Sequence, residues 1–274
     1  MGRMDKSRLR VGVAGLGAVG MPVARALDAG IEGLVLAGVS ASDKARAEAR
    51  TADFRTPPPV VGLGELVELS DVLVEGLPPA RFLDLARPTV EAGKILIPLT
   101  VTALLVNMDL VDRARETGGR IIVPTGAILG LDAVRAAAEG KVHEIVMVTR
   151  KPPAGLRTAP FVKEQGIDLD ALTGPVKLYE GSVRDAAQKF PANVNVSVAL
   201  ALAGIGPDET RYEIWADPGL DRNTHTIRVE SAETRFEMTI AGVPSVENPA
   251  TGKLTPLSAI ATLKGLVSPL KIGT

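Results

Sequence analysis

The sequence predicts an α/β chain: an N-terminal doubly wound parallel sheet and, after it, a second domain of α+β type. Three observations carry that reading. Through the first half, short β-branched runs alternate with helically spaced segments, the pattern of βαβ crossovers. A glycine string stands between the first such run and the first helix. After Gly126 the pattern changes, and the last two runs, 226–230 and 235–240, alternate apolar and polar residues with period two, as in strands wetted on one face.

Taken in order, the strand candidates of the first half are 10–14, 34–39, 60–61, 72–75, 95–98 and 121–124. The intervening segments 19–28, 43–51, 63–69, 80–92 and 108–117 space apolar residues three and four apart, so each can lay one face on the sheet. Six parallel strands suit a dinucleotide-binding sheet. Beyond Gly126, 129–139 reads as helix, and 144–149, 176–180, 211–216, 226–230 and 235–240 read as strands of an antiparallel sheet. Residues 151–174, opening K-P-P, read as a loop across that sheet, and 182–189 and 192–203 as helices. A late amphipathic helix, 254–266, is expected to pack back on the first domain. The expected domains are 1–125, 126–250 and a C-terminal segment, 251–274.

Composition excludes several classes of function. The 31 Lys and Arg are interspersed with 32 Asp and Glu, so no basic cluster exists to hold nucleic acid or an anionic membrane. No apolar run reaches the roughly 18 residues of a membrane span. The basic start M-G-R-M-D-K-S-R-L-R leads straight into a strand pattern, unlike a secretory leader. Cysteine is absent, which removes disulfides, thiolate metal sites and thiol nucleophiles, and a reducing cytoplasmic setting is expected. The two histidines, His143 and His225, lack a second ligand at zinc-motif spacing, so no metal is expected.

The string V-G-V-A-G-L-G-A-V-G, residues 11–20, sets Gly15, Gly17 and Gly20 at GxGxxG spacing, with Ala18 and Val19 in the turn. Gly15 permits the tight turn, Gly17 lets backbone approach a pyrophosphate, and Gly20 allows close helix–strand packing. The helix that follows offers free N–H groups to the phosphates. Such a site takes NAD or NADP, and a small-molecule substrate follows from hydride chemistry. The second strand leads into V-S-A-S-D-K-A-R, with no acid at its end. There Ser40 and Ser42, with Lys44 or Arg46 nearby, can meet a 2′-phosphate or serve only as turn residues, while Asp43 caps the next helix; the choice of cofactor stays open.

Four strings together resemble the L-aspartate dehydrogenase family: P-T-G-A-I-L-G-L-D at 124–132, E-G-S-V-R-D-A-A-Q-K-F-P-A-N-V-N-V at 180–196, A-D-P-G-L-D-R-N-T-H at 216–225 and E-N-P-A-T-G-K-L-T-P-L-S at 247–258. The resemblance spans nearly the whole chain. It implies a Rossmann domain followed by an α+β catalytic domain, a homodimer, and oxidation of L-aspartate to iminosuccinate, which hydrolyses to oxaloacetate and ammonia. It implies His225 as the catalytic histidine, and Ala127 and Asn193 as contacts near the nicotinamide. An imidazole is suited to exchanging a proton with an amine near neutrality, and His225 is expected just before a strand, on a loop. Asn193 and Asn195 stand at an expected helix start, where an amide either caps the helix or binds ligand. The substrate's two carboxylates need cationic partners, for which Lys151, Arg184, Lys189 and Arg222 are candidates.

Two stretches depart from the family pattern: E-G-L-P-P-A-R-F at 75–82, and P-L-T-V-T-A-L-L at 98–105, which has Thr100 and Thr102 where smaller residues are expected. Bulk there would reshape the substrate pocket. The other readings compatible with the sequence are a reductase of another imine or carbonyl compound and a non-catalytic dinucleotide-binding protein.

Overall fold

The computed structural model describes residues 8–191, 193–245, 247 and 251–273. Residues 1–7, Ala192 at an expected helix start, Val246, 248–250 of the E-N-P-A string and Thr274 lie outside the described residues. The chain forms two compact units. One takes the residues up to Pro124 together with Pro256–Lys271, the other Thr125–Thr255 with the stretch from Ile272.

The first unit is built on β1 (Leu9–Ala14), β2 (Leu34–Ser40), β3 (Val72–Glu75), β4 (Ile95–Pro98) and β5 (Arg120–Ile121), in spatial order β2-β1-β3-β4-β5 and all parallel. The crossovers are α1 (Gly20–Ala29), α2 (Lys44–Thr51), α3 (Leu63–Leu69), α4 (Phe82–Glu91), a short α5 (Val101–Leu105) and α6 (Asp109–Thr117). Two of the six expected strands are curtailed. Val60 makes only an isolated parallel bridge to Val39 beside β2, because Pro57, Pro58 and Pro59 before it have no N–H with which to extend a ladder. The sixth starts and ends earlier than expected, at Arg120–Ile121, with Ile122 giving one further hydrogen bond to Leu96. The helix α5 had no sequence signal, since five residues are too few to show a helical period.

Val11, Val13, Val72, Val74 and Ile97 fill the centre of this unit, with Val23, Ala24 and Leu27 of α1 on them. Each such aliphatic side chain contributes roughly 1.5–3 kcal/mol by leaving water. Ala259 and Leu263 of the final helix, α11 (Leu254–Val267), are buried in the same cluster.

The second unit contains α7 (Leu131–Ala138), β6 (Val142–Lys151), α8 (Pro160–Glu164), β7 (Val176–Ser182), α9 (Val183–Lys189), α10 (Asn195–Ala203), β8 (Arg211–Ala216), β9 (Asn223–Ser231) and β10 (Arg235–Gly242). Its sheet runs β10-β9-β6-β8-β7. The expectation of a purely antiparallel sheet is corrected: β6 and β8 pair in parallel, so the sheet is mixed. The chain leaves β6, passes through β7 and two helices, and lays β8 between β6 and β7. Period-two patterning marks a half-buried strand and carries no information on its direction, which is why the sequence missed this. Along β8, Tyr212, Ile214 and Ala216 are buried while Arg211, Glu213 and Trp215 alternate with them, more accessible. Helix α9 packs on β7 and β8, and α10 packs on both α7 and α9.

Candidate functional site

In the first unit the chemistry lies in backbone. Gly15 has a φ of 90°, a conformation that disfavours any side chain, and a Cβ there would overlap the carbonyl of Gly76. A Cβ on Gly20 would overlap the carbonyl oxygen of Gly15, so this glycine lets α1 start hard against the turn. Gly17 is different: a Cβ would meet nothing within 4 Å, so its backbone borders open space. Helix α1 follows, with Val19 as an N-cap that supplies no side-chain hydrogen bond and with no acid in its first turn. Its free N–H groups and positive dipole end suit a phosphate. A dinucleotide therefore fits, with Gly15, Gly17, Ala18, Val19 and Gly20 as the residues that would hold its pyrophosphate.

The end of β2 joins this turn. The Gly15 N–H donates to the Ser40 carbonyl at 2.8 Å, and the Ser40 side chain is buried. Ser42, Lys44 and Arg46 are exposed, and Asp43 caps α2 by accepting from the Arg46 N–H at 2.9 Å. Arg50, which the sequence reading passed over, reaches back from α2 to donate to the Leu16 carbonyl at 2.7 Å and so steadies the turn.

One of the two departures from the family pattern has a structural explanation. Glu75, at the end of β3, is fully buried, and burial raises its pKa above the ordinary carboxylate range. It accepts hydrogen bonds from the Leu77 N–H at 2.7 Å, the Thr100 N–H at 3.1 Å and the Thr100 hydroxyl at 3.0 Å. The hydroxyl that Thr100 adds satisfies this carboxyl and ties the loop after β3 to the loop after β4.

In the second unit the chemistry lies in buried side chains. His225 sits within β9, not on a loop before a strand, and is only 3% exposed. Its cross-strand neighbour on β6 is Thr149, whose hydroxyl lies 3.0 Å from Nδ1. Nε2 makes no hydrogen bond among the described residues. Burial, with the positive charge of Lys151 as a second cause, pushes the imidazole down to about 3, so it is neutral at physiological pH.

Lys151 is the last residue of β6 and lies on the same face as Thr149, two residues before it. The expected loop thus starts one residue later, and α8 interrupts it. The lysine is 5% exposed, and burial draws its pKa down to about 8. Its Nζ donates to Asn193 Oδ1 at 3.0 Å and reaches the Asn193 carbonyl at 3.4 Å. The Asn193 amide oxygen is thereby used by Lys151, and the N-cap of α10 is Val194, without a side-chain bond. Ala127 lies in the turn that follows Gly126 and is half-buried. His143 is exposed on β6. Thr149, Lys151, Asn193 and His225 are thus brought together, whereas Asn195 opens α10 and is only partly buried.

Residues 132–266 match the model of the aspartate dehydrogenase C-terminal domain, and residues 15–124 that of the homoserine dehydrogenase NAD-binding domain. An L-aspartate dehydrogenase of Bradyrhizobium diazoefficiens is 50% identical over 268 residues, 98% of this chain and 95% of that protein. This chain belongs to the L-aspartate dehydrogenase family. L-aspartate dehydrogenase 3 of Bordetella bronchiseptica is 48% identical over 98% of this chain and 99% of its own length. The fold is shared with the crystal structure of aspartate dehydrogenase from Thermotoga maritima, at a TM-score of 0.71, 23% identity, and coverage of 97% of this chain and all of that one. Family membership gives the buried polar cluster its context, because period and composition alone do not separate a functional histidine in a strand from a structural one.

Proposed function

We propose that this chain oxidises L-aspartate to iminosuccinate with NAD or NADP, or catalyses the reverse reaction, and that His225 exchanges the proton. The observation that carries the proposal is the buried imidazole, anchored through Nδ1 by Thr149 and unengaged at Nε2 among the described residues, in a chain akin to L-aspartate dehydrogenases along its whole length. The dinucleotide supplies the hydride acceptor. The α-ammonium of aspartate gives up a proton to His225, and the α-carbon then loses hydride to become the iminium carbon. Iminosuccinate, reduced dinucleotide and one proton are the products, and water converts the imine to oxaloacetate and ammonia. Thr149 keeps Nε2 aimed at the amine. Ala127 and Asn193 are proposed to flank the nicotinamide.

No acid ends β2, so a 2′-phosphate is not repelled there, and both cofactors are proposed as substrates of the same site. A homodimer in the cytoplasm completes the reading. It rests on the family resemblance and the prevalence of symmetric dimers, on the absence of cysteine and on the absence, among the described residues, of any helix long and apolar enough to cross a membrane. Light scattering at micromolar concentration is expected to give twice 28.6 kDa. The activity is tested by the absorbance of reduced nicotinamide at alkaline pH with L-aspartate and a panel of other amino acids. Turnover with another amino acid and none with aspartate would overturn the substrate.

A further inference from the structure

Of the four cations that the sequence offers to the substrate's carboxylates, three have partly exposed side chains beside a carboxylate. Arg184 donates to Asp208, Lys189 to Asp185 at 2.7 Å, and the half-exposed Arg222 lies 3.5 Å from Asp221. Lys151 differs from all of them. Among the described residues no carboxylate lies within 4 Å of its ammonium, and its only acceptors are the two oxygens of Asn193, which carry no charge. An ammonium out of water with neutral partners alone is costly, and an apolar side chain of similar length would fill the space without that cost. The residue's neighbours on the same sheet face are Thr149 and, across the strand, His225.

We propose that Lys151 is the ion-pair partner of one substrate carboxylate, and that this pairing makes His225 a proton acceptor only when substrate is bound. The inference rests on the reaction proposed above. Burial is the larger of the two causes that hold the imidazole neutral, and the charge of Lys151 is the smaller. A carboxylate on Lys151 cancels the repulsive part and adds an attractive anion, so Nε2 becomes more basic than in the free protein where an amine has arrived to be deprotonated. The other ionisable groups nearby do not supply that anion. From β8, Tyr212 is pushed up to about 12 by burial and stays neutral, and Asp217, just past the strand, faces Arg150 at 3.7 Å. From α9, Asp185 is held by Lys189 and the Tyr179 hydroxyl. Dicarboxylate recognition and proton acceptance are in this way one event.

The test uses the full chain with the substitutions Lys151→Met and Lys151→Arg, and succinate as an unreactive dicarboxylate probe. Lys151→Met is expected to raise the KM for L-aspartate about 100-fold, the scale of a lost buried ion-pair partner, with the dinucleotide KM unchanged. Lys151→Arg, which keeps the charge, is expected to recover part of that loss. A second readout does not depend on turnover. With the exposed His143 replaced (His143→Gln), the remaining imidazole is followed by NMR near neutral pH, where succinate is a dianion: succinate is expected to move its ring-nitrogen resonances toward those of the protonated form in the wild-type background and not in Lys151→Met. Thermal melting of each variant shows that it is folded, and Lys151→Arg carries the test should Lys151→Met fail to fold, its NMR shift with succinate then being the deciding result. An unchanged aspartate KM in folded Lys151→Met, or a Lys151→Arg imidazole that succinate leaves unmoved, overturns this inference alone. A wild-type chain that neither oxidises L-aspartate nor binds succinate overturns the functional reading and this inference with it.

Discussion

The two units carry function in different materials. The first presents backbone: a glycine turn, the unsatisfied N–H groups at the start of α1 and open space over Gly17. No ionisable side chain of the turn itself is buried, and the buried Glu75 beside it is satisfied by hydrogen bonds from Leu77 and Thr100. The second presents buried side chains, with a lysine that meets only uncharged acceptors among the described residues and a neutral histidine on one sheet face. Here the groups proposed to give the chemistry are buried polar groups whose burial costs the fold stability. A backbone site is therefore inexpensive and tolerant of its surroundings, whereas a side-chain site survives only where the rest of the unit can bear its cost.

The largest effect is expected where the side-chain site is emptied. His225→Asn should lower kcat by about 10²–10⁴ while leaving dinucleotide affinity nearly intact, measured by steady-state kinetics and calorimetry. Wild-type turnover in that variant would remove His225 from the reaction. Two glycines separate binding from folding within the backbone site. Gly17→Leu should abolish calorimetric dinucleotide binding at unchanged stability, because its side chain enters open space, whereas Gly20→Ala should lose about 3 kcal/mol of stability, because its methyl meets the Gly15 carbonyl. Equal behaviour of the two would show that the turn has no distinct ligand-facing side.

Proton linkage sharpens the contrast next. An unfolded histidine titrates near 6.5 and His225 near 3, so between those values the unfolded chain binds the extra proton. The stabilisation from the neutral imidazole is full above pH 6.5 and lost as pH falls toward 3. From pH 7 to pH 5 the unfolding free energy should therefore drop about 2 kcal/mol more in the wild type than in His225→Gln, read from urea midpoints. Lys151 acts in the same direction at the alkaline end: the unfolded lysine keeps its proton to about 10.5 and the folded one to about 8, so its burden on stability eases as pH rises through that window. The smallest effect is expected at the end of β2. Ser42→Asp, exposed beside the turn, should reduce kcat/KM with NADP about tenfold relative to NAD, since a carboxylate there repels a 2′-phosphate. An unchanged ratio would put the 2′-position elsewhere.

What the sequence disclosed follows the same division. The glycine turn, β3 at 72–75, β4 at 95–98 and α3 at 63–69 were legible because parallel-sheet strands and crossover helices write their periods locally. The parallel β6–β8 pair was not, since pairing direction is a non-local property. Ser40, His225 and Asn193 were picked out by position or by family strings, but what surrounds them was hidden. That Lys151 ends a strand beside Thr149, and that Asn193 supplies its acceptors, depends on residues 42 and 76 positions apart meeting across the second unit. The Glu75–Thr100 tie was hidden for the same reason: the two residues lie in separate stretches that each read as a departure from a pattern, and only their hydrogen bonds reveal a pair.

The burial of α11 in the first unit sets an order of events during synthesis. The strands and crossovers of that unit are complete by Pro124, yet Ala259 and Leu263 of its apolar cluster come from a helix encoded after the entire second unit. At ribosomal rates of about 5–20 residues per second, roughly ten to thirty seconds pass with that core uncapped. The part of the apolar cluster that Ala259 and Leu263 cover thus waits for its last two members until the second unit has been made.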